Sequence, residues 1–183
     1  MAAQNGSDEK SEGQMNRYLS FRLGDEEFGV EILRVREIIG IIDITPLPKT
    51  PDFVRGAINL RGQIIPVIEM RMRFGLCARE FTEQTCIVVM EVPDSSGERM
   101  IEMGAIVDEV CEVLDISPDM VDASARLAGG SRSDQILGMA KVDGRVIALL
   151  AIDATLASNH ISQMPRATDG LSAKEADYAS SIS

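Results

Sequence analysis

The sequence predicts a mainly β protein made of two similar, packed small β-barrels. Three observations carry that expectation. Apolar and polar residues alternate with a period of two over much of the chain, the pattern of half-buried strands. Gly-containing two-residue turns punctuate the alternation. Two segments also recur, in the same order, later in the chain. The core has to be aliphatic, because 45% of the 183 residues are hydrophobic but only 4% are aromatic, with 10 Met and no Trp.

In chain order, residues 1–16 are small and polar and read as a flexible tail. Leu19, Phe21 and Leu23 alternate with Ser20 and Arg22, then a turn at Gly24-Asp25-Glu26-Glu27 leads to Phe28, Val30 and Ile32 alternating with Gly29 and Glu31. A strand follows from Val35, and Pro46, Pro48 and Pro51 mark a connecting loop. Leu60-Arg61-Gly62-Gln63 turns the chain between Ala57-Ile58 and the Ile64–Ile68 strand, and a short helix is expected over Met70–Phe74. Ser117–Ala123 is expected to be helical too, opened by a Ser-Pro pair as N-cap and first helical residue. Val142-Asp143-Gly144-Arg145 is the strongest hairpin turn, since Asp-Gly tolerates the positive φ values of type I′. It joins strands expected at Gly138–Lys141 and Val146–Ile152. Residues 161–183 form a second tail.

The repeat is specific in its order. The stretch from Val35 to Pro46 parallels Val107 to Pro118, 72 positions on, and Gly56 to Ile65 parallels Gly138 to Ile147, 82 positions on. Two similar β units dividing residues 17–160 near residue 80 would each close into a barrel to remove open edges, leaving a groove between them.

The formal net charge of −11 is local. Residues 80–125 carry Glu80, Glu83, Glu91, Asp94, Glu98, Glu102, Asp108, Glu109, Glu112, Asp115, Asp119 and Asp122 against Arg99 alone. Just before them stand Arg55, Arg61, Arg71, Arg73 and Arg79 against Glu69. The expectation is one arginine-bearing barrel and one acidic barrel, either for solubility or to steer a basic partner. Nucleic acid is a poor partner for such a chain, because phosphate binding needs a surplus of Lys and Arg. Single-strand binding would further need a basic groove with stacking aromatics, and there are only five Phe and two Tyr. Direct membrane insertion is not expected: the longest apolar run, Val146–Ile152, falls far short of about 20 residues. With no leader pattern at the start, the chain reads as cytoplasmic.

Catalytic chemistry finds little support. His160, the single histidine, sits at the edge of the tail, and Cys77, Cys86 and Cys111 lack metal-ligand spacing. Cys86 and Cys111 are expected in the core and Cys77 at the surface. No phosphate-binding glycine motif is present, and Gly129-Gly130 has no helix signal after it. No cofactor or metal is expected. The methionines, among them Met70, Met72, Met90, Met100, Met103 and Met139, either fill the core or form an adaptable apolar surface.

Several segments, taken in order, resemble the CheW family of chemotaxis coupling proteins. They are Phe21-Arg22-Leu23-Gly24-Asp25-Glu26-Glu27-Phe28-Gly29-Val30, Val35-Arg36-Glu37-Ile38, and Pro51-Asp52-Phe53-Val54-Arg55-Gly56-Ala57-Ile58-Asn59-Leu60-Arg61-Gly62. Ile64-Ile65-Pro66-Val67-Ile68 with Met70–Phe74, and Gly104–Val110, continue the series, which spans about Tyr18 to Leu156. The resemblance implies two SH3-like barrels and a non-enzymatic adaptor. Its partners would be the cytoplasmic tip of a methyl-accepting chemoreceptor and the regulatory domain of the chemotaxis histidine kinase. It further implies a receptor groove at Ile32, Val35, Glu37, Gly56, Arg61, Val107 and Val110, with Glu37 and Arg61 as an ion pair holding the groove's shape. An alternative within the same class is a coupling protein of a non-flagellar chemosensory-like pathway. The alternative from another class is a small enzyme using a carboxylate pair or Cys77.

Overall fold

The computed structural model of the chain describes residues 15–126 and 133–156. Eleven strands form two sheets. The strands are β1 (Asn16–Leu23), β2 (Glu26–Glu31), β3 (Val35–Gly40), β4 (Val54–Leu60), β5 (Gln63–Glu69), β6 (Cys86–Pro93), β7 (Met100–Val107), β8 (Glu109–Ile116), β9 (Val121–Asp122), β10 (Ile136–Val142) and β11 (Arg145–Leu150), with short helices α1 (Met70–Arg73) and α2 (Ile152–Leu156). The six-stranded sheet runs β8-β1-β2-β11-β10-β9 and the five-stranded sheet β3-β6-β7-β5-β4. They are two packed SH3-like barrels, as expected.

The barrels are interleaved, which corrects the division near residue 80. Hairpin β1–β2 pairs with β8 and, in parallel, with β11, whereas hairpin β6–β7 pairs with β3 and, in parallel, with β5. Residue 80 separates the two sequence repeats, but each repeat lends its leading hairpin to the other's barrel. The structure extends the repeat to those hairpins: Gly29 lies opposite Leu149 as Gly104 lies opposite Val67. At both positions a Cβ would crowd a neighbouring strand, at 3.0 Å from Leu149 and 2.8 Å from Ile87.

The same topology divides the acidic segment between the two barrels instead of giving it to one. Glu91 and Glu102 stand on the five-stranded sheet, while Glu109, Glu112, Asp115 and Asp122 stand on the six-stranded one. Several acids of the segment also meet an arginine from elsewhere. Arg36 pairs with Glu91, Arg17 with Asp115 at 3.0 Å, Arg145 with Glu112 at 2.5 Å, and Arg71 with Asp108 at 2.5 Å.

Each barrel has its own core, and a third lies between them. Tyr18, Leu114, Ile116, Ala140, Ile147 and Leu149 fill the six-stranded barrel; Ile58, Ile65, Val67, Ile87, Val89 and Ile106 fill the other. The third core takes Leu19, Phe21, Leu23, Phe28 and Val30 from one barrel and Ile68, Met70, Phe74, Val88, Met90, Met103 and Val107 from the other. Central strands are therefore buried on both faces, which alternation alone understates. Met70, Met90 and Met103 fill this core, while Met100 and Met120 are exposed.

Both hairpin turns form as expected, with Arg61 and Gly62 at φ 52° and 84°, and Asp143 and Gly144 at 50° and 76°. The Ser117–Ala123 helix does not. A single 3₁₀ turn, Pro118–Met120, leads straight into β9, and Ser117 makes no capping hydrogen bond. The last strand stops at Leu150, because Ile152 opens α2. Asn16, placed in the expected tail, already pairs with Ile116. Cys111 is exposed rather than buried. A bulge between β1 and β8 breaks the alternation there, and the buried Ser20 hydroxyl accepts from the Glu112 N–H at 3.3 Å. The rest of both expected tails, His160 and Gly129-Gly130 lie outside the described residues.

Candidate functional site

The apolar members of the expected groove all pack on the core between the barrels. A 3₁₀ turn at Ile32–Arg34 carries the chain from β2 to β3, and thus from one barrel to the other. Ile32, Val35 and Val110 are partly buried against the shared core, forming its rim, while Val107 is 1% exposed within it. Val107 belongs to the five-stranded sheet and Val110 to the six-stranded one, so the rim straddles both barrels. On the same 3₁₀ turn Leu33 is 88% exposed. Nothing in the local alternation marks it. The tight turn rotates it outward, and Arg34 beside it bonds Asp153 of α2 at 2.9 Å.

Glu37 and Arg61 do pair. Arg61, at a positive-φ corner of the β4–β5 turn, donates through Nη2 to both Glu37 carboxylate oxygens across the sheet. The Glu37 carboxylate pushes the guanidinium up, with further attraction from Glu102 on β7. Arg61 remains 71% exposed, so the pair contributes shape and charge more than stability.

Gly56 is buried and its φ is +146°, where L side chains rarely sit. It lies at a bulge between β4 and β5, alongside Thr45, which exchanges backbone hydrogen bonds with Ala57 at 2.8 and 2.9 Å. Gly138 holds the same place in the other barrel, with Val121 2.6 Å from the position of a Cβ. Neither Gly56 nor Val107 offers surface to a partner. Any influence they have passes through the backbone and packing.

Elsewhere, a polar cleft of about 330 Å³ opens between the β1–β2 turn and the approach to β6, lined by Arg22, Arg79, Thr82, Thr85, Asp108 and Glu109. Asp108 is committed to Arg71 and to the Gly24 N–H at 2.8 Å, and Glu109 lies 4.0 Å from Arg22. Burial pushes the Cys86 thiol up, and at the exposed residue Cys111 partial desolvation of the thiol and the Glu27 charge do the same, away from the thiolate a nucleophile needs. No group of metal-ligating side chains occurs among the described residues. No described helix is long and apolar enough to cross a membrane.

Glu69, at the end of β5, is 2% exposed and its Oε2 has no hydrogen-bond partner. Burial raises its pKa, reinforced by Asp108 and opposed by Arg55 and Arg71. The protonated form therefore contributes stability in full below the ordinary glutamate range, and that contribution is lost as pH rises through the raised value. Glu69→Gln should show a flatter stability profile over that window and exceed the native chain at pH 7 in urea titrations. A variant less stable than the native chain at pH 7 would show instead that an ionised Glu69 is held favourably.

Two packed SH3-like barrels with exchanged hairpins define the class of fold to which the chain belongs. The chain belongs to the CheW family: a model of the CheW-like domain matches residues 17–160. It is 32% identical over 145 residues to the chemotaxis protein CheW of Klebsiella aerogenes, covering 79% of this chain and 84% of that protein. The CheW of Thermotoga maritima is 36% identical over 138 residues, 74% of this chain and 83% of that one. The crystal structure of the scaffolding protein TtCheW from Thermoanaerobacter tengcongensis superposes with a TM-score of 0.72 at 30% identity, covering 82% of this chain and 99% of that one.

Proposed function

We propose that this protein is a non-enzymatic cytoplasmic adaptor that couples the cytoplasmic tip of a chemoreceptor to the regulatory domain of the chemotaxis histidine kinase. The observation that carries the reading is the rim at the barrel junction. Ile32 and Val35 lie half-buried there with Leu33 projecting between them, and Val110 is half-buried against the same core. A half-buried aliphatic strip suits the apolar face of a helix, the helix-in-groove mode. The Glu37–Arg61 pair, on the neighbouring end of β3, gives the strip a charged boundary that can set the register of a docked helix.

Arg61→Glu places three carboxylates together, since Glu37 and Glu102 both act on this position. Its expected effect is reduced co-sedimentation with receptor-bearing membranes and kinase, with little change in the thermal midpoint because the side chain is exposed. Normal ternary assembly by a folded Arg61→Glu protein would remove the ion pair from the groove.

A further inference from the structure

Aliphatic and methionine side chains make up most of the core between the barrels. Ile68, Met70, Met90 and Met103 share that core with Leu19, Leu23 and Leu150. Packing of this kind stabilises strongly but specifies geometry weakly, since such cores lose uniqueness before they lose stability. Beyond the stacked Phe21, Phe28 and Phe74 rings, directional bonds across the junction are what can hold the angle between the barrels. The four-residue α1 supplies two sets of them.

Arg71 reaches one side. Its Nη1 donates to Asp108 Oδ2 at 2.5 Å, and the same oxygen accepts the Gly24 N–H at 2.8 Å. A residue of the five-stranded barrel's helix is thereby tied to the β1–β2 turn of the other barrel. Its Nε donates to the Cys77 carbonyl at 2.8 Å, which fixes the side chain's direction. Arg73 reaches another part of the six-stranded barrel. Its Nε donates to the Thr155 carbonyl of α2 at 2.9 Å, and its guanidinium lies over the Phe53 ring at 5.0 Å. With the Gln135 amide oxygen turned toward it, Nη1 and Nη2 also donate there at 3.2 and 3.0 Å. Residues two apart do not share a helix face, so the two arginines diverge from a single rigid turn. Burial lowers the pKa of Arg73, the mark of a guanidinium withdrawn from water.

We propose that Arg71 and Arg73 are positioning residues that fix the angle between the two barrels and, through it, the width of the groove at their junction. The consequence for partner binding rests on the adaptor function proposed above; the geometric consequence does not.

The test is a distance measurement in the full chain. Ile38→Cys on the five-stranded barrel and Val146→Cys on the six-stranded one, both exposed positions, carry spin labels after the native cysteines are replaced by alanine. The otherwise native protein should give one narrow distance distribution. The Arg71→Gln, Arg73→Gln double variant should broaden it about twofold, as an ensemble of barrel angles becomes populated, while the circular dichroism of the β-sheets stays unchanged. Arg73→Lys alone should also broaden it, because a point charge cannot replace the planar fork or its stacking. Met72→Gln, on the same helix between the two, should not. If the double variant fails to fold, Arg73→Lys carries the same test.

An unchanged distribution in a folded double variant, or in Arg73→Lys where the double variant does not fold, would overturn the clamp. In the broadened variant, affinity for a soluble chemoreceptor cytoplasmic fragment should fall about tenfold if the competent angle is held a tenth of the time. Absence of any binding by the native chain would overturn the adaptor function while leaving the distance result to decide the clamp.

Discussion

Gly56→Ala should lose on the order of 3–5 kcal/mol of stability, read as a lower urea midpoint, from backbone strain plus disrupted hydrogen bonds. At φ +146° an added Cβ falls inside contact distance of the Thr45 carbonyl oxygen and 2.7 Å from its carbon. Relief requires the Thr45 segment to move away, which breaks the two hydrogen bonds it exchanges with Ala57. Poor partner binding by a Gly56 variant would then report a damaged barrel and not a lost contact. A midpoint shift worth less than about 1 kcal/mol would show that the bulge accepts a side chain and that the close approach is dispensable.

Phe74→Ala should cost on the order of 3–5 kcal/mol by transfer and cavity terms. Phe74 is 1% exposed in the core between the barrels. Its ring stacks on Phe28 with centroids 5.1 Å apart, and Phe28 stacks on Phe21 at 5.9 Å. Three of the five Phe residues thus stand in one column spanning both barrels. Truncation opens a void where Met70 and Met103 can only partly collapse. Phe74→Leu should recover more than half of the loss, since it refills much of the volume. Equal destabilisation by both substitutions would point to the stacking itself.

The local structure was legible because short-range rules dominate it. Asp143-Gly144 and Arg61-Gly62 turn as their residue types require, and Met70–Arg73 is helical. The repeat disclosed two alike units. What it could not disclose is which hairpin joins which barrel, because strand pairing between distant segments leaves no local pattern; Ile147 meets Glu27, not a neighbour in sequence. Cys111 is exposed against the expected alternation for a related reason. An extra residue in β8 shifts the phase of its alternation, and a bulge has no marker there beyond the buried Ser20 on the opposite strand. Of the expected groove residues, Ile32, Val35 and Val110 are each partly buried against the core between the barrels and Glu37 pairs with Arg61, whereas Gly56 and Val107 are buried. Leu33 and the arginines of α1 became visible only with the tertiary structure. A 3₁₀ turn decides the exposure of the first, and partners 37 and 82 residues away decide the role of the others.

The exchange of hairpins between the barrels governs how the chain can be made. During synthesis from the N-terminus, β1–β2 emerges first but has to wait for β8 and β11, and therefore for Leu150, before its barrel can close. Until then it presents two open strand edges. The middle of the chain, from β3 to β7, holds every strand of the five-stranded barrel and can close earlier. Its early closure gives the waiting hairpin an apolar surface to rest on, which limits the exposure that long-range pairing otherwise brings. A gene cut at residue 80 would produce two fragments, each holding parts of both barrels and neither able to complete one.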